Sequence, residues 1–421
     1  MVPEGWQLRN LAELLERCDY GLSCALNTDP SGVPILRMGN LQEGRVLLAD
    51  LKYVSESQVQ EHDLLRASDI LVNRTNSPAL VGKTGLFEGG GRMTFASYLF
   101  RLRTLPGVEP AWLAQVLVSS AYQSQLRGIA TPGVSQANIN RQKLLAMSVL
   151  SPPIEEQKKI AAVLSSVGDA IDSTQLVIDQ LQVVKQAMMA ELFGRGLPGR
   201  HTTFKETVLG ELPESWMVLP FGDLLPDGTL NGLYKSSEFF GSGVPLLDMG
   251  DLFRTEIVEH RERRRVRLTE QERIRFQLQQ GDLLFARRSL KLEGSGQCAL
   301  VPPLPEYPVC ESSIIRARLD QARCVPGFYL HFWNGAIGRR LRMSIARQVA
   351  VSGISAADLV GLRVPVPPLD EQRVIAGIIN EIDQRVAQER TAVAQLRLLK
   401  SALSSALLTG EIRVTPTPEA P

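Results

Sequence analysis

Apolar residues at 160, 164, 167, 171, 178, 181, 188 and 192 advance in alternating steps of four and three, with Thr174 and Lys185 completing the row. This spacing predicts a helix that keeps one apolar seam against a partner helix. The row returns 215 residues later at Ile375, Ile379, Ile382, Val386, Val393, Leu396 and Leu403, with Lys400 answering Lys185. Both rows start alike. Pro152-Pro153 and Pro367-Pro368 impose an extended approach, and Glu155-Glu156 and Asp370-Glu371 place acids in the first turn, where free amides favour negative charge. Gly194, Gly196 and Pro198 stop the first helix and Gly410 the second. At about 1.5 Å per residue, helices over 153–198 and 368–410 are roughly 60 Å long, too long to pack only on a neighbouring compact domain.

The stretches between them read differently. Short β-branched runs such as Ile70-Leu71-Val72 lie among glycine-rich turns, and helices are expected over Trp112–Leu126 and Phe328–Ile345. Arg101 and Arg103 alternate with apolar residues and are expected on the wet face of a strand. These stretches repeat too: Glu4-Gly5-Trp6 answers Glu214-Ser215-Trp216, Gly32 to Leu41 answers Gly243 to Leu252, and Ser68 to Arg74 answers Gly281 to Arg287. A duplicated unit of this length implies a mixed α/β (α+β) chain. Two similar globular domains, 1–152 and 199–367, would be separated by two antiparallel helices about an approximate internal twofold axis, with a disordered tail over 411–421. The seams could instead form the core of a homodimer; the presence of both copies in one chain favours pairing within the chain.

Charge narrows the function classes. With 46 basic and 45 acidic residues the net charge is +1, so any nucleic-acid binding must rest on local patches. The five cysteines contain no CxxC pair and the four histidines are scattered, so no metal site is expected from spacing, and free thiols in a reducing cytoplasm are. No secretory leader or run of about eighteen apolar residues is present, so no membrane partner is expected.

The duplicated Pro-Pro-apolar-(Glu/Asp)-Glu-Gln stretch at 152–157 and 367–372 is preceded by Gly133-Val134-Ser135-Gln136-Ala137-Asn138-Ile139 in one copy and Gly353-Ile354-Ser355 in the other. With these motifs the chain, from Trp6 to about Gly410, resembles the specificity subunits of type I restriction-modification systems. The resemblance implies two target recognition domains, each reading half of a bipartite double-stranded DNA site. The helices would set the half-site spacing and dock two methylation subunits, and restriction subunits would join them. It also implies no catalysis and no cofactor on this chain, with S-adenosylmethionine, ATP and magnesium on the partners. The second copy is five residues shorter between its glycine and its proline pair and lacks the Gln and Asn, so the two loops need not act alike. A specificity subunit of a related system cutting on both sides of its site is the near alternative, and a fused methyltransferase or nuclease the distant one.

Fragments that imitate enzyme motifs argue against the distant alternative. Phe239 to Gly243 fits FxGxG but is expected to be a turn, and Ser151-Pro152-Pro153-Ile154 lacks the aromatic ring that stacks on a flipped base. Gly82-Lys83-Thr84 has Ser77 where a phosphate loop needs glycine, and Glu156-Gln157-Lys158 lacks the placed aspartate of a nuclease.

Polar and basic residues on loops after the strand-like runs are the candidate DNA contacts. In the first copy these are Arg74, Asn76, Ser77, Lys83, Thr84, Arg92, Ser135, Gln136, Asn138, Asn140 and Arg141; in the second, Arg287, Arg288, Lys291, Ser295, Gln297, Arg347, Ser352 and Ser355. Arg suits guanine and Asn or Gln suits adenine, while Lys and Ser hold phosphates. Residues 281–350 carry a local charge of +5, as a phosphate-facing surface requires. The run Arg261 to Arg267 reads equally as a DNA edge or as a face neutralised by its acidic neighbours. For the ruler and partner interface the candidates are Gln157, Ile160, Leu164, Ile171, Ile178 and Leu181 with Gln372, Ile375, Ile379, Val386, Val393 and Leu396. Val163, Val177, Val183 and Val184 lie off the seam and would suit a further partner, such as a methylation subunit.

Overall fold

The computed structural model describes residues 2–133, 135–347 and 352–414; Val134 and the expected disordered stretch 415–421 lie outside them. Two compact units divide the chain, residues 1–175 with 391–421 and residues 176–390. The long helices run Ile154–Arg195 and Leu369–Thr409, and each contributes part of its length to each unit.

In the first unit a six-stranded sheet has the order Leu15–Tyr20, Leu99–Thr104, Ile70–Asn73, Thr84–Leu86, Gly44–Val46, Leu41–Gln42, antiparallel except where Gly44–Val46 meets Thr84–Leu86. Its core joins Ile70, Val72, Phe100 and Leu102 to Trp112, Leu113 and Leu117, and continues into Ile160 and Leu164 of one long helix and Leu407 and Leu408 of the other. In the second unit a four-stranded sheet orders Thr229–Asn231, Ile314–Ala317, Leu283–Ala286 and Cys298–Leu300. Phe285 and Ile315 pack there with Phe328, Phe332 and Trp333, and the core continues into Leu192 and Phe193, then Ile375 and Ile379. So in each unit the start of one long helix shares a core with the end of the other. Fully burying each such side chain stabilises by about 1.5–3 kcal/mol.

Several expectations change. The helix expected over Trp112–Leu126 is two helices, Pro110–Val118 and Ser120–Ile129, because the Ser119 hydroxyl caps the second. That over Phe328–Ile345 breaks at Gly335 into Pro326–Asn334 and Ala336–Ile345. Phe239 to Gly243 is not a turn. The segment from Phe240 belongs to strand Phe240–Leu247, and the register shift between Phe240 and Val244 uses Gly241 and Gly243 at φ 108° and 99°. Arg101 and Arg103 do not face water: Arg101 is 2% exposed and pairs with Asp19, and Arg103 bonds both oxygens of Asp69. A guanidinium can be buried when a carboxylate and carbonyls satisfy it, which alternation alone does not show. The tail is also held further than expected, since Arg413 donates to Glu156 and to the Glu4 carbonyl.

Candidate nucleic-acid interface

The duplicated Glu-Gln pair is the fastening of each unit. Glu156 Oε2 accepts the Trp6 indole N–H at 3.0 Å, and Glu371 Oε2 accepts that of Trp216 at 3.1 Å. Gln157 donates to the Pro152 carbonyl and accepts from the Glu109 amide, and Gln372 donates to the Pro367 carbonyl and accepts from the Val325 amide. Each glutamine therefore ties the start of a long helix to the start of the helix after the main sheet, Pro110–Val118 or Pro326–Asn334. Burial would raise the pKa of Glu156, but hydrogen bonds from Arg413 and Trp6 outweigh it and hold the carboxyl below the usual range. Gln157 and Gln372 are 2% and 0% exposed. They are fastenings inside their units, not surface for a partner.

Elsewhere in each unit, strand pairing gathers residues that are far apart in sequence. In the first unit Thr75–Asn76 pairs with Ala137–Asn138, which pairs with Thr131–Pro132. In the second, Arg288–Ser289 pairs with Ser352–Gly353. The ribbons have the same base: Ile139 N donates to the Arg74 carbonyl at 2.8 Å, and Ile354 N to that of Arg287 at 3.0 Å. Beyond each ribbon a short helix is capped by a side chain, Asn140 onto Gln142 N in one unit and Ser355 onto Asp358 N in the other.

The candidates separate on this frame. Gln136, Asn138, Asn140 and Arg141 are exposed on or beside the first ribbon, as is Ser135; Asn76, Ser77 and Lys83 are half-buried. Arg288 and Lys291 are exposed on the second ribbon and its loop. Others are committed inward. Arg74 donates to the Ser97 carbonyl and lies 4.9 Å from the Tyr20 ring centre, and Arg287 donates to the Ser312 carbonyl. Thr84 is buried with its hydroxyl on the Gly82 carbonyl, Ser295 is fully enclosed, Ser352 is buried, and Gln297 donates to the Leu252 carbonyl. Arg92 pairs with Glu56 and Glu61, and Arg347, though exposed, pairs with Asp358.

Charge counting along the chain overstated the basic surface. Within 281–350, Arg316 donates to the Arg275 carbonyl, Arg318 grips Asp282, and Arg342 is buried on the Trp333 carbonyl. Burial depresses the pKa of Arg316 and of Arg342. The Arg261 to Arg267 run is neutralised only in part. Arg261 and Arg263 pair with Asp251, Arg265 with Glu306, Arg267 reaches the Glu238 carbonyl, and Arg264 stacks on Phe240. Sequence reasoning passed over Leu290, 92% exposed between Arg288 and Lys291, and Tyr20, half-exposed under Arg74. An apolar residue between two exposed basic ones in a loop was the available signal for Leu290.

On the long helices, Ile160, Leu164, Ile171, Ile178, Ile375, Ile379, Val386 and Val393 are buried, and Leu181 and Leu396 half-buried. Val163, Val177, Val183 and Val184 are exposed, as are Leu176, Leu398 and Leu399. No helix among the described residues is long and apolar enough to cross a membrane.

Comparisons with known proteins agree with this layout. The type I restriction modification DNA specificity domain family matches residues 3–183. A Methanocaldococcus jannaschii protein named as the MjaX type I restriction enzyme specificity subunit is 26% identical, covering 98% of this chain and 95% of that protein. The EcoKI specificity subunit of Escherichia coli is also 26% identical, covering 98% and 90%. Among solved structures, the type I restriction-modification S subunit from M. genitalium has a TM-score of 0.58 at 14% identity, covering 96% of each chain. A chain from a study of assembly and conformational transition of the type I system has a TM-score of 0.56 at 17% identity, covering 98% of this chain and all of that one. These two likenesses establish the fold. With the domain match over residues 3–183 and a full-length likeness to specificity subunits, the chain is similar to the specificity subunits of type I restriction-modification systems.

Proposed function

We propose that this chain is the DNA-reading subunit of a type I restriction-modification complex, acting in the cytoplasm without catalysis of its own. Each unit reads one half of a bipartite duplex site through its ribbon and the loop beside it. The long helices set the spacing between half-sites and dock two methylation subunits, to which restriction subunits add. S-adenosylmethionine, ATP and magnesium act on those partners.

The observation that carries this reading is a constant frame bearing different side chains. The indole–Glu bond, the two glutamine bonds and the ribbon base recur, while the exposed residues differ: Gln136 and Asn138 on or beside one ribbon, Arg288 and Lys291 on or beside the other. Amide side chains suit adenine edges, and basic ones suit guanine or phosphate. Among the ruler candidates, Ile160, Leu164, Ile375 and Ile379 serve the spacing role from inside the cores, and exposed Val177, Val183 and Val184 support docking of a methylation subunit. The test is DNA binding by the complex of this chain with its methylation subunits. Sequence-specific binding to a split site, weakened by salt, is expected; equal affinity for all sequences would refute the reading.

A further inference from the structure

The second unit brings together three metal-ligating side chains from separate parts of the chain. Glu256 lies in the segment before the Arg261 run, His331 on Pro326–Asn334, and Asp383 on the second long helix; one ligand atom from each lies within 4.8 Å of the others. Acidic clusters alone mean little, and the informative member is the histidine. His331 is 2% exposed, and its Nε2 sits 2.7 Å from Asn380 Oδ1. Amide oxygen is only an acceptor, so Nε2 carries the proton and Nδ1 presents its lone pair. That Nδ1 is buried without a hydrogen-bond partner and faces Asp383 Oδ2 at 4.0 Å. An imidazole fixed by a second-shell acceptor, with its free nitrogen turned to two carboxylates, is the arrangement of a metal ligand.

We propose that Glu256, His331 and Asp383 bind one divalent transition-metal ion of the zinc class, clamping the recognition fold of this unit to its part of the second long helix. Zn–N and Zn–O bonds of about 2.0–2.1 Å put tetrahedral ligands about 3.3 Å apart, so the three side chains close by an ångström or so. Lys185 pairs with Asp383 Oδ1, leaving Oδ2 toward the ring, so the carboxylate can serve both cations. Burial lowers the His331 pKa and favours the neutral, ligating form.

The repeat limits the stoichiometry. Pro110–Val118 and Pro326–Asn334 start at equivalent glutamine-held caps, so Gln115 occupies the place of His331; at the helix offset of 215, Gly168 occupies that of Asp383. The first unit has neither ligand, and one ion per chain follows.

The test is zinc chloride titration of the chelator-stripped full-length chain by calorimetry, with cobalt(II) absorption as a second readout and circular dichroism to check folding. One equivalent is expected, with affinity about 10–100-fold weaker in Asn380→Ala and a larger loss in Glu256→Gln and His331→Gln. Glu256 is partly exposed, so its variant should fold even if His331→Gln does not. No stoichiometric binding by the wild type, or equal binding by wild type and Glu256→Gln, would overturn the proposal. The result is independent of whether the unit reads DNA.

Discussion

Gln115 and His331 occupy the same place in the two units, as do Gly168 and Asp383, and the surroundings of the two pairs have diverged. In the second unit His331, Asp383 and Lys185 close upon one another. In the first, Gln115 and Gly168 line a 380 Å³ cavity with Arg45, Arg397 and Lys400. Burial, then the charge of Arg45, lowers the pKa of Lys400, whose counterpart Lys185 has a carboxylate partner. Arg45 instead reaches Asp169, the residue after Gly168, and Asp172, one turn along. The indole–Glu and glutamine bonds of the fastening are kept in both units, although Arg413 pairs with Glu156 and His201 with Glu371. What holds each unit to its helices is therefore kept, while the neighbouring corner has been free to change.

The comparison breaks most sharply at the fastening. Glu156→Ala and Glu371→Ala each strand a buried indole N–H and its basic neighbours, and each should cost about 3–5 kcal/mol in urea unfolding. A large cost for one and a trivial cost for the other would end the claim of equivalence. The Glu156 carboxyl also has a pH signature. Its folded pKa lies below its unfolded value, so its stabilisation is present above about pH 4.5 and lost as pH falls through the folded pKa. Glu156→Gln should flatten that part of the stability profile between pH 7 and 3.

At the ribbons, Arg288→Ala with Lys291→Ala should reduce the slope of log affinity against log salt by about 2 in the assembled complex, with unfolding unchanged. Gln136→Ala should leave the slope alone and relax sequence preference; a changed slope would place it at a phosphate. Arg74→Ala should act mainly on stability, since its guanidinium is spent on Ser97 and Tyr20.

The smallest effect has a telling sign. A Cβ at Gly168 would meet only the ends of Lys400 and Arg45, at 3.1 and 3.5 Å for the nearest atoms, and both can move. Gly168→Asp should therefore stabilise by about 0.5–1 kcal/mol, by removing a helical glycine and giving Lys400 a partner. The reciprocal Asp383→Gly should destabilise by at least as much. Matching thermal shifts of opposite sign would confirm that the two corners are one design filled in two ways.

The long helices were legible because a seam with period 3.5 and paired prolines leave a local trace in sequence. The ribbons were only half legible: Asn76 and Asn138, or Arg288 and Ser352, are brought together by strand pairing between distant segments. Neither the enclosure of Arg101, Arg316 and Arg342 nor the inward turn of Thr84 and Ser295 could be read, because burial of a polar residue depends on partners elsewhere in the chain. The Glu256, His331 and Asp383 cluster escaped for the same reason. Metal-ligand spacing is informative only when the ligands come from one local segment.

The central claim is that each unit reads its own half of a split site. It is tested most directly by replacing residues 1–152 with the corresponding domain of another specificity subunit, assembling the chimera with methylation subunits, and sequencing the methylated motifs. The account predicts that one half of the motif changes while the other half and the gap are retained. A change in both halves, or in neither, would contradict it.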